Sequence, residues 1–286
     1  MEAAGKRWIA HNSTTDVFTI WHISDIHIMN RACAVDRLRA DVAEIAADPY
    51  AFWLGGGDYA DFIGYTDKRF DPDSVAEDVT VKELGDLGRV GMQRVAKELA
   101  PIKEKCLGLL LGNHEKKYQQ ATEQESLHGW LCTQLGAPSL GYCCLFDIIF
   151  ARDASVDVPA LLWSSPGREF HRESFRVFAH HGAGFATTPG GKLNKLVQFM
   201  QSFDADLYFL GHVHDHVARK EPLLGADAAC KTIIQRQRLG VIAGSYLKTY
   251  AQGQCTYGEQ RGYRPVSLGA ARASIAPDRR ELHAAI

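Results

Sequence analysis

The chain has 286 residues, with 46% hydrophobic and 23% charged residues, which is typical of a globular protein and excludes disordered, collagen-like and coiled-coil chains. Its 32 Lys and Arg residues and 34 Asp and Glu residues give a net charge of -2, which excludes the basic surface that non-specific nucleic-acid binding needs. No segment reaches the roughly 18 apolar residues of a membrane helix, and the first ten residues lack a signal-peptide core, so we expect a cytoplasmic protein without membrane contact.

Strands and helices alternate along most of the chain. Residues 17–24 are β-branched and aromatic and predict a strand, and residues 34–47 carry apolar side chains at helical spacing. Short apolar strands are predicted over 51–54 and 106–111, with a helix over 83–100 between them. The later predicted elements are a helix over 122–135, strands over 142–151, 161–164, 175–179 and 207–210, a helix over 193–203, and a hairpin or meander over 232–247. This alternation indicates an α/β fold.

Two regions depart from this alternation. Residues 64–82 are polar and strongly charged, which predicts a surface insertion next to the second predicted strand. Residues 215–286 form a β-rich C-terminal extension, whose last dozen residues we expect to be frayed. Neither residues 64–82 nor the loop over 152–159 has the composition of a domain linker, so we expect a single domain over 1–286.

Potential metal ligands follow five of the predicted strands at the point where each strand ends. They are Asp25 and His27, Asp58, Asn113 and His114, His180 and His181, and His212 and His214. Because side chains just past the carboxyl ends of strands in an α/β sheet converge in one crevice, we expect them to lie together. Imidazole, carboxylate and amide groups without thiolates favour divalent Mn, Fe, Zn or Ni. Seven of these nine residues as ligands suffice for two ions if one carboxylate bridges them.

The motifs that contain these ligands are, in chain order, Ser-Asp-Ile-His at 24–27, Gly-Asp-Tyr-Ala-Asp at 57–61, Gly-Asn-His-Glu at 112–115, His-His-Gly at 180–182 and Gly-His-Val-His at 211–214. With these motifs in this order, the chain resembles the calcineurin-like metallophosphoesterase superfamily. The resemblance implies a four-layer αββα sandwich of two mixed β-sheets flanked by helices, with two divalent metal ions at the strand ends.

The resemblance also implies a role for individual residues. One ion would be held by Asp25, His27, Asp58 and His214, and the other by Asp58, Asn113, His180 and His212. His114 would be the catalytic residue that contacts the scissile phosphate. We choose His180 over His181 because the family's ligand directly follows its strand, and His181 would then lie near the substrate or behind the ligands. Asp61 either stabilises a local turn or supports the site from behind.

The function implied by the resemblance is hydrolysis of a phosphomonoester or phosphodiester by a hydroxide that bridges the two ions, with His114 assisting the leaving group. The near-zero net charge favours a small molecule or nucleotide over duplex nucleic acid as the substrate. A nuclease that uses the same site is the alternative. A mixed run of cations and aromatic residues could serve it by binding phosphate and stacking a base, namely Tyr246, Lys248, Tyr250, Arg261 and Arg264. The alternative for this run is an exposed face of a C-terminal sheet. A non-catalytic scaffold is disfavoured because every ligand position is occupied.

Overall fold

The computed structural model describes residues 1–65, 67–68, 70–122, 126–167, 170–184, 186, 188–227 and 229–285. The strands are β1 (Glu2–His11), β2 (Phe18–Ile23), β3 (Ala51–Gly55), β4 (Cys106–Leu109), β5 (Cys143–Arg152), β6 (Ala160–Leu162), β7 (His171–His180), β8 (Leu207–Leu210), β9 (Val217–Ala226), β10 (Ile233–Ile242), β11 (Ala271–Ala276) and β12 (Glu281–Ala285). The helices are α1 (Val35–Ala47), α2 (Val81–Leu84), α3 (Leu87–Leu99), α4 (Asn113–Thr122), α5 (Leu127–Leu135), α6 (Pro189–Ser202) and α7 (Tyr257–Gln260). Two short 3-10 helices cover Pro72–Ser74 and Ala100–Lys105.

The strands form two mixed sheets. One has seven strands in the order β6-β1-β5-β7-β8-β10-β9, and the other has five in the order β12-β11-β2-β3-β4. In the larger sheet, β1 runs parallel to β5, and β7 and β10 both run parallel to β8. In the smaller sheet, β2, β3 and β4 are parallel, while β11 and β12 are antiparallel additions. The predicted pair of mixed sheets is confirmed.

The sheets pack face to face through large apolar side chains that alternate inward along each strand. Buried residues of this inner core come from both sheets and include Phe18, Phe52, Phe146, Phe175 and Phe209. Helices α1, α3 and α5 cover the outer face of the five-stranded sheet, and α6 covers the outer face of the seven-stranded sheet. The four-layer αββα prediction is therefore confirmed, because each sheet buries one face against its partner and the other under helices.

Close packing on the outer side of the seven-stranded sheet depends on a glycine. Leu196 and Met200 lie one turn apart on α6 and are fully buried against the sheet. A Cβ atom added at Gly240 on β10 would lie 2.8 Å from the Leu196 side chain and 2.9 Å from the Met200 sulfur. Helix α6 therefore packs so close to the sheet that only a residue without a Cβ atom fits at position 240.

The carboxyl ends of the parallel strands place the predicted ligands at one edge of the sandwich. In the five-stranded sheet, Asp25 follows β2 and Asp58 follows β3. In the seven-stranded sheet, β7 and β8 are parallel, and His181 and His212 follow them. The backbone N–H of Asp25 donates to the carbonyl of Gly57 at 3.0 Å, which fixes the first two of these loops against each other.

Several elements differ from the sequence-based predictions. The predicted helix over 83–100 is two helices, because the chain turns at Gly85, whose N–H bonds back to the last carbonyls of α2. The helix predicted from 122 begins at Leu127, with the Ser126 side chain as its cap, and residues 123–125 lie outside the described part of the chain. The prediction of a frayed C-terminus is wrong, since β11 pairs with both β2 and β12.

The two regions that departed from the alternation pack differently against the rest of the chain. The charged region over 64–82 is tied to the loop after β2, where the Arg31 N–H donates to the Ser74 carbonyl at 2.8 Å and the Ala76 N–H to the Met29 carbonyl at 2.9 Å. The region from 215 onward supplies β9 and β10 to one sheet and β11 and β12 to the other. A single domain over 1–286 with these two additions stays a proposal, which the shared sheets support. Among the described residues, no helix has the length and apolar character needed to cross a membrane.

Candidate metal centre

Five of the predicted ligands lie in the left-handed region of the backbone map. Their φ angles are 55° for Asp25, 52° for His27, 53° for Asp58, 68° for His212 and 47° for His214. Residues other than glycine rarely adopt such angles, and the cost is typically of order 1–3 kcal/mol each. Such conformations persist only where the surrounding structure imposes them, and they concentrate at functional sites. The strand ends are thus shaped to direct these side chains into one place.

Asp25 is the carboxylate that joins the two sheets. It is fully buried, and its Oδ2 accepts hydrogen bonds from Ser24 Oγ at 2.5 Å and from the His212 N–H at 2.8 Å. Its Oδ1 lies 3.1 Å from His214 Nε2. Burial alone would raise the pKa of Asp25, but the charge and hydrogen bond of His214 hold it well below its usual value. Asp25 is therefore an anion at neutral pH.

Asp58 lies at the centre of the site. Its Oδ1 accepts a hydrogen bond from the His114 N–H at 2.9 Å, and its Oδ2 lies 3.3 Å from His181 Nε2. Burial opposes ionisation, yet the neighbouring imidazoles of His181 and His114 hold the pKa of Asp58 well below its usual range. A buried carboxylate with histidines on two sides is suited to bind cations with both oxygens.

His181, and not His180, points into the donor cluster. The His181 ring is fully buried, its Nδ1 lies 2.7 Å from the Gly56 carbonyl, and its Nε2 faces Asp58. The Nδ1 of His180 instead accepts a hydrogen bond from the Gly182 N–H at 2.7 Å, and its ring lies 4.9 Å from that of Phe199. The geometry therefore does not support the prediction of His180 and favours His181, whose role as a ligand stays a proposal.

His181, and not His180, faces the donor cluster because β7 is longer than the sequence predicts. The sequence-based strand ends at residue 179, whereas the structure extends β7 through His180, which pairs with Cys143. The residue that directly follows the strand is thus His181. Burial lowers the pKa of a histidine, but the carboxylates of Asp58 and Asp25 raise that of His181 to about 10. Without a cation, this imidazole is protonated, and its positive charge lies next to the two carboxylates.

One end of the Asn113 amide faces three polar atoms at one point. That terminal atom lies 2.8 Å from His212 Nδ1, 3.1 Å from His181 Nε2 and 3.3 Å from Asp58 Oδ2. With nitrogen in that position, the amide donates to His212 Nδ1 and Asp58 Oδ2. With oxygen there, the amide accepts from the protonated His181 Nε2 and offers an oxygen ligand to a cation.

The donor atoms form three overlapping groups in which all atoms lie within 4.8 Å of one another. One group contains Asp25, Asp58, His181 and His212, a second contains Asp25, His27 and His214, and a third contains His27, Asp58 and His114. The first group contains Asp58 and His212 of one predicted ligand set, with Asp25 in addition and His181 in the place of His180. The second contains Asp25, His27 and His214 of the other predicted set, without Asp58. The third shows that His114, predicted as a catalytic residue, also lies within reach of a cation.

His27 provides an independent sign that the donors fit a metal. Its Nε2 is buried and has no hydrogen-bond partner among the described residues. Burial, with a further contribution from His114, lowers the pKa of His27 to about 4, so the ring is neutral at neutral pH. A neutral buried imidazole with an unused lone pair is expected to be satisfied by an ion. The carboxylates and imidazoles present here fit two divalent cations of borderline or hard character.

Glu115 is a residue of this site to which the sequence assigned no role. Its buried carboxylate accepts hydrogen bonds from the backbone N–H groups of Asp58 at 3.1 Å and Tyr59 at 2.6 Å. Burial and the negative charge of Asp58 raise the pKa of Glu115 to about 8. Gly112 packs against the same turn, since a Cβ there would lie 2.2 Å from the Asp58 nitrogen. Both residues belong to the Gly-Asn-His-Glu motif, so the sequence carries a signal for them next to Asn113 and His114.

Asp61 lies beside the predicted catalytic histidine. Its Oδ1 is 3.7 Å from His114 Nδ1, and its Oδ2 accepts a hydrogen bond from Asn30 Nδ2 at 2.6 Å. The Asp61 N–H also donates to the Ile28 carbonyl at 2.8 Å, so the backbone belongs to the turn while the carboxylate faces His114. Both predicted alternatives for Asp61 thus have a counterpart in the geometry.

The predicted base-stacking run is only partly available to a ligand. Tyr246 is fully buried, and its hydroxyl donates to Asp41 Oδ2 at 2.7 Å, so it belongs to the core and cannot stack a base. Tyr250 is exposed, and its hydroxyl donates to the Tyr263 carbonyl at 2.8 Å. Arg261 lies over the ring of Tyr257 at 5.3 Å. Tyr246 is therefore excluded from the residues that could stack a base.

Comparison with known proteins gave three findings. The family model described as calcineurin-like phosphoesterase matches residues 18–216. A search of curated proteins found no match. Solved structures that are similar include a conserved uncharacterized protein of Streptococcus pneumoniae TIGR4, described as a predicted phosphoesterase (13% identity, 91% of this chain and 84% of that chain covered, TM-score 0.33). Another is a metallophosphoesterase from Sphaerobacter thermophilus (14% identity, 94% and 88% covered, TM-score 0.31).

Proposed function

The chain belongs to the calcineurin-like phosphoesterase family, whose members are hydrolases that use divalent metals at a dinuclear site, and we propose that it cleaves a phosphomonoester or phosphodiester at the strand ends described above. The observation that carries the proposal is the convergence of Asp25 and Asp58 with histidines from both sheets. Each carboxylate is buried beside imidazoles and stays ionised.

The proposed ligand sets follow from the donor groups. Asp25, His27, Asp58 and His214 would hold one cation, and Asp58, Asn113, His181 and His212 would hold the other. Asp58 is the shared ligand because its two oxygens face different partners, the His114 side and the His181 side. When bound, two divalent cations neutralise phosphate oxygens and lower the pKa of a water molecule, which makes it a nucleophile at neutral pH.

His114 is the proposed general acid. As the water oxygen forms its bond to phosphorus, the bond to the leaving oxygen breaks and leaves an electron pair on that oxygen. The imidazolium of His114 gives its proton to this pair, a contribution of typically 10²- to 10⁴-fold to the rate. Asp61 next to Nδ1 stabilises the imidazolium before the transfer, because opposite charges at 3.7 Å attract in a partly buried site. The hydrogen bond from the His114 N–H to Asp58 holds the His114 backbone, and therefore the base of its side chain, in place.

The proposed substrate is a small phosphate ester or a nucleotide. The net charge of -2 supports this proposal over duplex nucleic acid, since duplex binding depends on many cationic contacts to phosphates. The withdrawal of Tyr246 into the core removes one of the aromatic residues on which the nuclease alternative depended.

The test compares two chromogenic substrates with and without metal. Purified protein is stripped with a chelator, reloaded with Mn²⁺, and assayed with 4-nitrophenyl phosphate and bis(4-nitrophenyl) phosphate. We expect hydrolysis of at least one substrate that disappears with chelator and returns with metal. The faster substrate distinguishes a monoesterase from a diesterase. Metal-loaded protein that hydrolyses neither ester, or activity that persists in chelator, would contradict the proposal.

A further inference from the structure

We propose that Asn30 is a positioning residue for the proposed reaction, holding the Asp61 carboxylate in the orientation that supports His114. The inference rests on the proposed function and adds a residue that lies in none of the motifs. Its basis is a chain of three side chains: Asn30 Nδ2 donates to Asp61 Oδ2 at 2.6 Å, and Asp61 Oδ1 lies 3.7 Å from His114 Nδ1.

The Asn30 amide is fixed at both ends. Its Oδ1 accepts a hydrogen bond from the Ala32 N–H at 2.8 Å, which leaves its nitrogen to face Asp61. The backbone is fixed as well, because the Asn30 N–H donates to the His27 carbonyl at 3.1 Å and its carbonyl accepts from the Cys33 N–H at 2.9 Å. The amide therefore has one orientation, set by the same turn that carries His27.

A fixed donor matters because Asp61 is buried. A carboxylate out of contact with water needs hydrogen bonds to stay ionised, and a bond to an anion is roughly twice as strong as a neutral one. With Oδ2 held by Asn30, the carboxylate plane is set and Oδ1 is turned toward His114. Without Asn30, the carboxylate loses this hydrogen bond, and we expect its orientation toward His114 to be less well defined.

This arrangement predicts a dependence on the leaving group that a structural role would not produce. A 4-nitrophenolate is a weak base and departs with little help, whereas a phenolate needs the proton that His114 supplies. Misplacing the proton donor should therefore slow phenyl esters more than 4-nitrophenyl esters. Simple loss of folded protein would reduce both rates by the same factor.

Two substitutions distinguish the loss of the hydrogen bond to Asp61 from the loss of the hydrogen bond that stabilises the turn. Asn30→Ala removes both side-chain contacts. Asn30→Asp keeps an acceptor for the Ala32 N–H but has no amide donor for Asp61. The matched control is Asn12→Ala, since Asn12 Nδ2 also donates one hydrogen bond, to the Val156 carbonyl at 2.7 Å. Asn12 follows β1, whose carboxyl end lies at the opposite end of the sheet from His180.

The experiment measures kcat and KM for the phenyl and 4-nitrophenyl esters of whichever phosphate class the wild type cleaves, together with metal content and circular dichroism. For Asn30→Ala and Asn30→Asp we expect full metal content and a loss of kcat about tenfold larger for the phenyl ester, within the range of general acid catalysis. Asn12→Ala should match the wild type with both esters.

Three outcomes would overturn the inference. They are wild-type activity in Asn30→Asp, an equal loss with both esters in that variant, and loss of metal without a change in leaving-group dependence. If Asn30→Ala fails to fold, Asn30→Asp decides the question, because it retains the turn. An inactive wild type would instead contradict the proposed function, so the two failures are distinguishable.

Discussion

Asp25 Oδ2 accepts a hydrogen bond from the backbone N–H of His212 at 2.8 Å, although the two residues are 187 positions apart in the chain. Asp25 follows β2 in the five-stranded sheet, and His212 follows β8 in the seven-stranded sheet. The site therefore exists only where the two sheets meet. Substitutions at this junction should affect metal content, turnover and folding in different combinations, which allows the roles of the residues to be separated.

Replacement of Asp58 should remove metal and activity together. In Asp58→Ala, both cations lose a proposed ligand, and we expect activity to fall by at least about 100-fold, since even residues that only orient ligands cost 10- to 100-fold. Metal analysis and the ester assay check this. Asp153→Ala is the control, because Asp153 is partly exposed and follows β5 at the far end of the sheet. An Asp58→Ala protein that keeps both ions would rule out a shared ligand.

His180 and His181 are adjacent in the chain, so substituting each one in turn gives a matched comparison. His181→Ala should lose a cation, because the imidazole faces Asp58 in the donor cluster. His180→Ala should keep the full metal content, because the His180 ring bonds to the Gly182 N–H and packs on Phe199. Metal content measured for both purified variants is decisive. The reverse pattern would restore His180 as the ligand.

His114→Ala should keep metal and lose turnover. We expect kcat to fall by about 10²- to 10⁴-fold with an unactivated ester, the usual contribution of a general acid. His171→Ala serves as the control, since His171 is partly exposed at the other end of β7. Loss of a cation in His114→Ala would instead make His114 a ligand, in keeping with its place in the third donor group.

The stability of the protein should fall as the pH drops below about 6.5, the ordinary pKa of histidine. Burial lowers the pKa of His128 to about 4, so the unfolded chain takes up a proton in this range while the folded protein does not. The stability contributed by neutral His128 is thus complete above pH 6.5 and is lost progressively down to about pH 4, at up to about 1.4 kcal/mol per pH unit.

Urea unfolding of the chelator-treated protein at several pH values measures this slope. His128→Leu removes the titrating group, so its free energy of unfolding should depend less steeply on pH between 6.5 and 4 than that of the wild type. The chelator prevents metal release from contributing to the slope. Identical slopes in the two proteins would show that His128 does not remain neutral in the folded state.

Gly112→Ala should damage the site through packing alone. The added Cβ would lie 2.2 Å from the Asp58 nitrogen, a backbone atom that cannot move aside without displacing the carboxylate. We expect a loss of about 1–3 kcal/mol in stability, as for other overpacked positions, with reduced metal affinity. Gly190→Ala on α6 is the control, because an added Cβ there meets no atom within 4 Å. A Gly112→Ala protein with normal stability and metal content would refute this account.

The sequence by itself determined the fold class and the chemical types of the donors. Alternation of apolar strands and amphipathic helices is a local signal, so the parallel strands β2, β3 and β8 and the helix α1 were found close to their observed bounds. Ligands directly after strands are also local, and their order in the chain carried the family resemblance. These features can be predicted from the sequence because periodicity and strand-end position do not depend on distant residues.

Only the tertiary structure decided the rest, because each remaining feature depends on partners far away in the chain. The extension of β7 through His180 follows from its pairing with β5, and that one residue changes which histidine faces Asp58. Strands β1, β11 and β12 were not predicted, because β1 is stabilised by pairing with β5, β11 by pairing with β2, and β12 by pairing with β11. Asn30 has no local mark of its role, since its partner Asp61 belongs to a loop that only folding brings near.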